Sequence, residues 1–342
     1  MPTFRFTTLD VPGAQGGTVI QGINDRGQLV GEYTVANFSG PGPVTGDPYP
    51  QAFVDTGGTI TTIGPGGLPY GQNSFATGIN NRGQIVGHSG HYETTARGFL
   101  YQNGQFTQID APGNTAFTTA YGINDFGQVV GAYLPFASLG GRESGFVWTS
   151  NGTFQTIAYP GAAGTEAHGI NNRGWIVGDY VPSGGGNNHG FLDVNGHFQT
   201  IDVPGAVSTV AEGVNNVGEI VGTFYDGSHS HGFVDLGGRF DIIDVPGATD
   251  TFVHGVNDFG QLVGAFQTSA SAPFNGFVAT PSGGGLGVLA HVVSQAQALA
   301  SDLVPRIAGS NAIPPVSAPG NLGSLFDPTP PNATAAPFPF GT

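Results

Sequence analysis

The sequence predicts an all-β fold, a six-bladed β-propeller of four-stranded blades, and three observations support that prediction. A ten-residue segment of the type "GINDRGQLVG" recurs six times, at intervals of 42 to 56 residues. Two further apolar segments follow each of the first five copies, and one follows the sixth, so a complete unit offers four short strands separated by turn-forming residues. The chain also begins with a segment that the last unit lacks, which indicates a closed ring.

The recurring segment supplies the first two strands of each unit and the turn between them. Strand one is a run of small and apolar residues that ends in Gly-Ile/Val-Asn, and strand two is the "QIVG" run. The Asn-Asp/Asn-x-Gly link suits a tight turn, because Asn and Gly tolerate positive φ. The tripeptides start at Gly22, Gly78, Gly122, Gly169, Gly213 and Gly255.

Strands three and four come from segments such as "RGFLYQNG" with "QFTQIDAPG", and "HGFLDVNG" with "HFQTIDVPG". Strands two and three are apolar on both faces, which fits burial between two neighbouring sheets. Units of about 45 residues with four strands are typical of propeller blades. The repeats therefore predict blades rather than the coils of an open solenoid.

The ends of the repeat array predict how the ring closes. The sixth unit stops at "GFVAT" and has no fourth strand, whereas the chain starts with "FRFTTLDVPGA", which matches a fourth strand. We therefore expect residues 4–12 to complete the blade formed by residues 253–280. An open solenoid would need capping units instead of a divided one.

The composition changes after Thr280, which predicts a propeller domain at residues 1–280 and a tail at residues 281–342. "PSGGG" is a flexible linker, and residues 286–304 have the composition and apolar spacing of a helix. The remainder is rich in Pro, Ala, Asn and Gly and is predicted to be disordered. The helix packs either on its own ring or on a partner, and self-association through it is one of the alternatives.

Charge and composition exclude several classes of partner. The net charge is −15, and all eight Lys or Arg positions are Arg. Nucleic acid and anionic membranes require a basic face, so neither is expected as a partner. Cysteine is absent, which excludes a disulfide framework and a thiolate metal site. The sequence predicts no membrane span, cofactor or metal, and the N-terminal segment lacks the basic and apolar regions of a secretory signal.

The repeat resembles that of the HAF-repeat proteins, a family named for a His-Ala-Phe signature. The resemblance covers all six units of residues 1–280 and rests on the "GINDRGQLVG"-type segments followed by "HGFLDVNG" and "HGFVDLGG". Gly replaces the family's Ala in five units, and the signature His is retained at His189 and His231. Its place is taken elsewhere by Gln51, Arg97, Ser144 and Asn275. The resemblance implies an extracellular bacterial protein and supplies no catalytic residues.

Candidate functional residues occupy the position directly before each Gly-Ile/Val-Asn tripeptide, because this position differs from unit to unit. The inner strands converge on the axis, so His168, Glu212 and His254 are expected to meet at the channel mouth. Two His and a carboxylate suit acid–base catalysis or a divalent metal. The structural alternative is a channel lined by polar residues and water. The six residues at this position are Gln21, Thr77, Tyr121, His168, Glu212 and His254.

Further candidates are predicted on the same strand and on the loops. Glu166 lies two residues before His168, so it is expected on the same side of the strand, and Tyr121 adds a hydroxyl. The links between strands two and three vary most in length, and variable loops usually carry binding. A sugar-binding rim is therefore predicted there, with a Tyr that merely covers its own blade as the alternative. The rim candidates are Glu32, His88, Asp179 and Asp226 with Tyr33, Tyr133, Tyr180 and Tyr225.

These observations favour a non-enzymatic, extracellular binding propeller that recognises a carbohydrate or a surface polymer through its variable-loop face. The absence of a recognised catalytic motif supports that interpretation. The alternative is a lyase or hydrolase in which His168, Glu212 and His254 act as acid, base or metal ligands at the channel mouth. Four Asp residues that precede a Pro-Gly turn are expected to cap the turn. They are Asp10, Asp110, Asp202 and Asp244.

Overall fold

The computed structural model describes residues 3–35, 49–63, 73–90, 96–113, 115–135 and 142–282. These residues form six four-stranded antiparallel sheets, arranged as blades around a central axis, and they contain no helix. The six-bladed β-propeller predicted from the repeats is therefore confirmed. The tail, with its helix at residues 286–304, lies outside the described residues and stays a prediction.

The blades are numbered by the chain order of their innermost strands, and the strands of each blade follow outward from the axis. Blade 1 comprises β2 (Thr18–Ile23), β3 (Leu29–Val35), β4 (Tyr49–Thr56) and β5 (Thr59–Ile63). Blade 2 comprises β6 (Ser74–Ile79), β7 (Ile85–Ser89), β8 (Arg97–Gln102) and β9 (Gln105–Ile109). Blade 3 comprises β10 (Thr115–Ile123), β11 (Gln128–Pro135), β12 (Ser144–Thr149) and β13 (Phe154–Ile157).

The remaining blades repeat this order, except that the last one recruits its outer strand from the start of the chain. Blade 4 comprises β14 (Ala162–Ile170), β15 (Trp175–Pro182), β16 (His189–Val194) and β17 (His197–Ile201). Blade 5 comprises β18 (Ser208–Val214), β19 (Ile220–Tyr225), β20 (Ser230–Asp235) and β21 (Phe240–Ile243). Blade 6 comprises β22 (Asp250–Val256), β23 (Leu262–Gln267), β24 (Asn275–Pro281) and β1 (Phe4–Leu9).

Blade 6 closes the ring as the repeat array predicts. β1 pairs antiparallel with β24, from Phe4 opposite Pro281 to Leu9 opposite Gly276. Beyond the strands, the Ser282 backbone N–H donates to the carbonyl of Thr3 at 2.6 Å, and the Thr3 hydroxyl donates to the carbonyl of Ser282 at 2.8 Å. The closure by residues 4–12 is confirmed, although the blade begins at Asp250, three residues before the predicted start.

The apolar core lies between neighbouring blades. One cluster joins Val177 and Ile201 of blade 4 to Phe224 and Phe233 of blade 5. Each blade buries the strand-three Phe almost completely, and burial of a Phe side chain stabilises a fold by about 1.5–3 kcal/mol. Because each blade buries its apolar faces against its neighbours, the blades depend on one another for stability. The buried residues are Phe53, Phe99, Phe146, Phe191, Phe233 and Phe277.

A closed ring of hydrogen bonds surrounds the axis on the short-turn face, the face that carries the turns between strands one and two. The tripeptide Asn of each blade is 3–4% exposed, and its side-chain amide donates to the backbone carbonyl of the same Asn in the next blade. The bond from Asn257 to Asn24, at 3.3 Å, joins blade 6 to blade 1. The ring members are Asn24, Asn80, Asn124, Asn171, Asn215 and Asn257.

The same Asn side chains also fold the turns. The Oδ1 atom of Asn124 accepts the backbone N–H groups of Phe126 and Gln128, each at 3.0 Å. Gly127 completes that turn at a φ of 78°, a conformation that L side chains rarely adopt. A buried amide whose donors and acceptor are all used fixes the turn and the contact between blades together. This double role explains why Asn recurs in all six units.

Two residues deeper along the inner strands, the tripeptide Gly residues of neighbouring blades touch. A Cβ atom on Gly122 would lie 2.6 Å from the carbonyl oxygen of His168 and 3.2 Å from the Cα atom of Gly169. Both are backbone atoms, which cannot move aside as a flexible side chain can. The blades therefore approach too closely at this level for any residue larger than Gly.

We expect Gly122→Ala to lower the free energy of unfolding by about 1–3 kcal/mol, because the added methyl group overpacks a rigid contact. Gly184→Ala is the matched control, since a Cβ atom there meets nothing within 4 Å. Urea denaturation of both variants measures the difference. Equal stability of the two variants would contradict the proposed contact between blades.

Candidate functional site

The position before each tripeptide is a β-bulge in all six blades. In blade 3, for example, the register shifts between Ala120 and Gly122, and the same shift recurs in the other five. A bulge takes one residue out of the ladder and re-aims its side chain. The six bulge residues are partly buried around the axis. The bulge explains how this single position varies while the strands on either side stay regular.

Three successive bulge residues, two of them predicted acid–base candidates, contact one another across blades 3, 4 and 5. The Nδ1 atom of His168 lies 3.6 Å from Oε2 of Glu212, and its ring stacks on Tyr121 with centroids 4.9 Å apart. The Nε2 atom of His168 lies 2.8 Å from Oδ1 of Asp179 on the neighbouring strand. The Tyr121 hydroxyl donates to Oε2 of Glu166 at 3.2 Å. We call these five residues the interior cluster.

Burial and neighbouring charges give the members of the interior cluster different pKa values. Burial opposes the charge on His168, but the Glu212 carboxylate, followed by Asp179 and Glu166, raises its pKa to about 10. Burial raises the pKa of Glu166 to about 7 despite the nearby His168 charge, and burial also raises the pKa of Glu212. His168 is thus an imidazolium at neutral pH. Glu166, with a pKa of about 7, changes its protonation near neutral pH.

His254, the third predicted acid–base candidate, behaves differently from His168. Burial lowers its pKa to about 4, and the positive charge of His168 adds to that effect. Both ring nitrogens of His168 already face carboxylates, so neither is open to a metal. Among the residues that the structure describes, no group of three or more His, Asp or Glu side chains is arranged to hold a metal ion. The arrangement therefore favours proton chemistry over the metal alternative.

Gln21, also a predicted site residue, occupies the equivalent place in blade 1. Its side-chain amide donates to Oε1 of Glu32 at 3.1 Å, which mirrors the contact between His168 and Asp179 in blade 4. The Oε2 atom of Glu32 is buried and accepts no hydrogen bond in the structure. Burial raises the pKa of Glu32 to about 8, so this carboxyl group is protonated at neutral pH. The same architecture thus holds a charged pair in blade 4 and a neutral pair in blade 1.

The predicted sugar-binding rim is wrong as one group, because strand two alternates its side chains. Glu32, His88 and Asp179 face the interior, whereas the Tyr that follows in blades 1 and 4 lies on the opposite face of the strand. The ring of Tyr180 stacks on Tyr159 with centroids 3.6 Å apart, as in the alternative interpretation of a Tyr that covers its own blade. Tyr225 is 39% exposed at the end of β19 and remains a candidate on the loop-rich face, opposite the short-turn face.

The structure gives the signature His a partner within its own blade. Nδ1 of His189 lies 2.9 Å from Asp202, and Nδ1 of His231 lies 3.0 Å from Asp244. Arg97 makes the corresponding contact with Asp110 at 3.6 Å. The Asp residues before Pro-Gly therefore pair with the start of strand three in these blades, which differs from the predicted capping role. A partly exposed pair of this kind contributes about 0–1 kcal/mol.

The sequence interpretation missed a pocket on the short-turn face, which we call the axial pocket. Its cavity volume is about 80 Å³, and it lies on the axis of the propeller. Tripeptide Ile and Val residues form its base, and the ring of buried Asn residues forms its lower wall. The residue after each of those Asn forms the upper wall. These six residues are Asp25, Asn81, Asp125, Asn172, Asn216 and Asp258.

The upper wall is a second closed ring of hydrogen bonds. The backbone N–H of each member donates to Oδ1 of the member in the next blade at 2.7–2.8 Å. Side-chain amides bridge to carboxylates as well, for example from Asn81 to Asp25 at 2.7 Å and from Asn172 to Asp125 at 2.8 Å. The sequence signal was present, because the repeat admits only Asp or Asn at this position. Either residue supplies the required Oδ1 acceptor, so the alternation sets the charge of the pocket without disturbing the ring.

The residue that follows each upper-wall member in its turn lies next to the pocket lining but outside it, and we call these six residues the rim. Phe126 and Phe259 are each 65% exposed there, which is unusual for side chains of that size. Three of the other turns carry an exposed Arg, and the fourth carries a partly buried Val. The remaining rim residues are Arg26, Arg82, Arg173 and Val217.

Comparison with known proteins assigns the chain to no family. No protein-family model and no curated protein sequence matches the chain, so the HAF-repeat resemblance stays a prediction. The Hadza microbial sialidase Hz136 aligns with 77% of this chain and 65% of its own at 13% identity, with a TM-score of 0.46. The Pyrococcus horikoshii acylaminoacyl peptidase aligns with 78% of this chain and 52% of its own at 8% identity and a TM-score of 0.45.

A Trypanosoma rangeli sialidase aligns with 86% of this chain and 57% of its own, at 12% identity and a TM-score of 0.43. The chain thus spans between about half and two thirds of the length of these structures. At such identities and TM-scores these alignments establish neither a fold nor an activity for this chain. In the part of the chain that the structure describes, no helix has the length and apolarity to cross a membrane.

We expect the pKa values of His168 and His254 to be shifted in opposite directions from that of an ordinary His. His168 should remain an imidazolium up to about pH 10, and His254 should remain neutral down to about pH 4. Folded His168 binds a proton that the unfolded chain releases above its ordinary pKa, so its contribution to stability declines between about pH 6.5 and 10. The unfolded chain protonates His254 first, so acidification from about pH 6.5 to 4 also costs stability.

Histidine-selective NMR titration measures both values. The variant His168→Gln places the blade 1 residue type in blade 4 and assigns the resonance. A His168 resonance that titrates near pH 6.5 would show that the interior cluster does not form in solution.

Proposed function

We propose that this protein is a non-enzymatic binding propeller that recognises a carbohydrate polymer through its axial pocket. The observation that carries the proposal is the upper wall, in which fixed amides and carboxylates surround a pocket with an aromatic rim. Small-molecule sites generally combine a preformed concavity with a few fixed polar groups. The axial pocket meets both conditions.

The chemistry of the upper wall suits hydroxyl groups. Carboxylate oxygens accept up to about four hydrogen bonds, and the Asp25 carboxylate uses one acceptance for a backbone N–H and one for an amide. The unused acceptor capacity is available to hydroxyls of a ligand. The wall is also held rigid by the ring of backbone bonds, so binding costs little side-chain entropy. A rigid set of acceptors and donors at the mouth of a pocket is typical of polyol recognition.

The rim supports the same ligand class. An exposed Phe offers an apolar face to the apolar face of a sugar ring, while the hydroxyls at the edge of that sugar reach the wall. The variable-loop face was the site expected from the sequence, but residues 36–48, 91–95 and 136–141 of its loops lie outside the described residues. The described residues favour the short-turn face. An extracellular location belongs to this proposal through the resemblance alone.

We expect Asp125→Asn and Asp258→Asn each to weaken binding of a neutral polysaccharide about fivefold. Asn keeps the Oδ1 acceptor that closes the ring, whereas hydrogen bonds to a charged group contribute about 1 kcal/mol more than neutral ones. Titration calorimetry with amylose, mannan and dextran measures the affinities, and urea denaturation verifies the fold. Asp226→Asn on the loop-rich face is the control and should bind as the parent protein does. Binding of none of these polymers would contradict the proposal, and a loss confined to Asp226→Asn would move the site to the opposite face.

A second candidate function is acid–base cleavage of a polymer at the interior cluster. The observation that favours it is the separation of pKa values within one contact network, about 7 for Glu166 against about 10 for His168. Near neutral pH, this difference leaves His168 protonated as a donor and part of Glu166 ionised as an acceptor. Against it stands the burial of the cluster, whose His168 side chain is only 15% exposed.

The second candidate predicts that any release of reducing ends from a bound polymer disappears in Glu166→Gln, while binding persists. Assays of released reducing ends on the same three polysaccharides test this directly. Gln21→Glu, which changes the equivalent position of blade 1, is the control. Activity that survives Glu166→Gln would exclude the interior cluster as its source.

A further inference from the structure

Two of the six turns around the axial pocket are near copies of each other. Residues 122–131 read "GINDFGQVVG" in blade 3, and residues 255–264 read "GVNDFGQLVG" in blade 6. Both therefore present an Asp in the upper wall followed by a 65% exposed Phe on the rim. None of the other four described turns carries this pair. We call each Asp-Phe pair a subsite.

The two subsites lie on opposite sides of the pocket. Each inner strand contacts those of its two neighbours around a closed ring of six, so blades 3 and 6 are three positions apart in either direction. The axis and the pocket therefore lie between Phe126 and Phe259. A single sugar unit that stacks on one Phe therefore lies beside the pocket and does not contact the second Phe.

The subsites are also held in the same orientation. The backbone N–H of Phe126 donates to Oδ1 of Asn124 at 3.0 Å, and that of Phe259 donates to Oδ1 of Asn257 at 3.1 Å. Each Phe thus projects from a turn anchored to the buried Asn ring. The Asp of each subsite is fixed likewise, since Asp125 accepts from the backbone of Asn81 and Asp258 from the backbone of Asn216, both at 2.8 Å.

We infer that one linear, uncharged polysaccharide chain crosses the axial pocket and contacts both subsites through internal sugar units. This inference rests on the proposed function and specifies its ligand class. Identical subsites call for a ligand that presents the same chemical unit twice, which a regular polymer does and a small metabolite does not. The three wall carboxylates and the three rim Arg residues balance one another in charge, which suits an uncharged chain.

Bivalent engagement makes a quantitative prediction about chain length. An oligomer too short to span the pocket occupies the subsites separately, with two molecules bound weakly per protein. Once the oligomer spans both, the second contact becomes intramolecular, and the affinity rises about 10²–10⁴-fold without any new type of contact. The stoichiometry falls from two to one at the same chain length.

The test is titration calorimetry of the full chain with oligomer ladders of amylose, mannan and dextran, from the disaccharide to the octasaccharide. We expect an abrupt rise in affinity within one ladder, accompanied by the fall in stoichiometry. Phe126→Ala and Phe259→Ala should each abolish the rise and leave weak binding of one short oligomer per protein. Val207→Ala, which truncates an exposed apolar residue between β17 and β18 on the loop-rich face, is the matched control and should keep the rise.

The outcomes separate this inference from the proposed function. Affinity that grows smoothly with length, or one subsite variant that leaves the rise intact, would overturn the inference while the binding function stands. Binding of no ladder and no parent polymer would overturn both. A dimer in sedimentation analysis that Phe126→Ala dissociates, with glycan binding unchanged in that variant, would assign the Phe pair to self-association instead.

Discussion

The structure depends on the side-chain amides of six buried Asn residues, which link each blade to the next around the axis. Each amide accepts backbone N–H groups of its own turn with Oδ1 and donates to the neighbouring blade with Nδ2. The fold of the turn and the contact between blades therefore depend on the same side chain. Since buried polar groups are costly unless every bond is made, the ring favours six blades at one radius. The Asp/Asn ring above it and the Gly contacts below it are set at the same spacing. The axial pocket is a direct result of that geometry.

The repeat pattern was sufficient to predict the fold. Four strands per unit, six units and the divided blade all follow from turn residues and apolar runs that recur along the chain. The strand-three Phe, such as Phe191, recurs because it is buried between blades, and Gly122 recurs because backbone atoms occupy the place of a side chain. Comparison of the six units within one chain shows which positions packing requires, because every unit packs against its neighbours in the same way.

The candidate site was predicted only in part. Variation before the tripeptide pointed to Tyr121, His168 and Glu212, which contact one another in the structure, and their role as a site stays a prediction. Strand order alone did not reveal the bulge that aims them. Asp179 was assigned to the wrong face, since alternation along strand two separates it from Tyr180. The axial pocket was missed for the opposite reason. Its wall residues recur as Asp or Asn, and recurrence was interpreted as purely structural although it also determines the charge of a cavity.

The division of blade 6 has a consequence for the order in which the molecule is made. β1 leaves the ribosome before the other described strands, yet its partner β24 ends at Pro281, and the bonds between Thr3 and Ser282 span 279 positions. Contacts at such separation form late, because loop closure has to precede them. Until then the nascent protein exposes one unpaired strand edge on the growing array, and such edges are prone to aggregation. The short β1, half of whose residues are exposed, limits that hazard during synthesis.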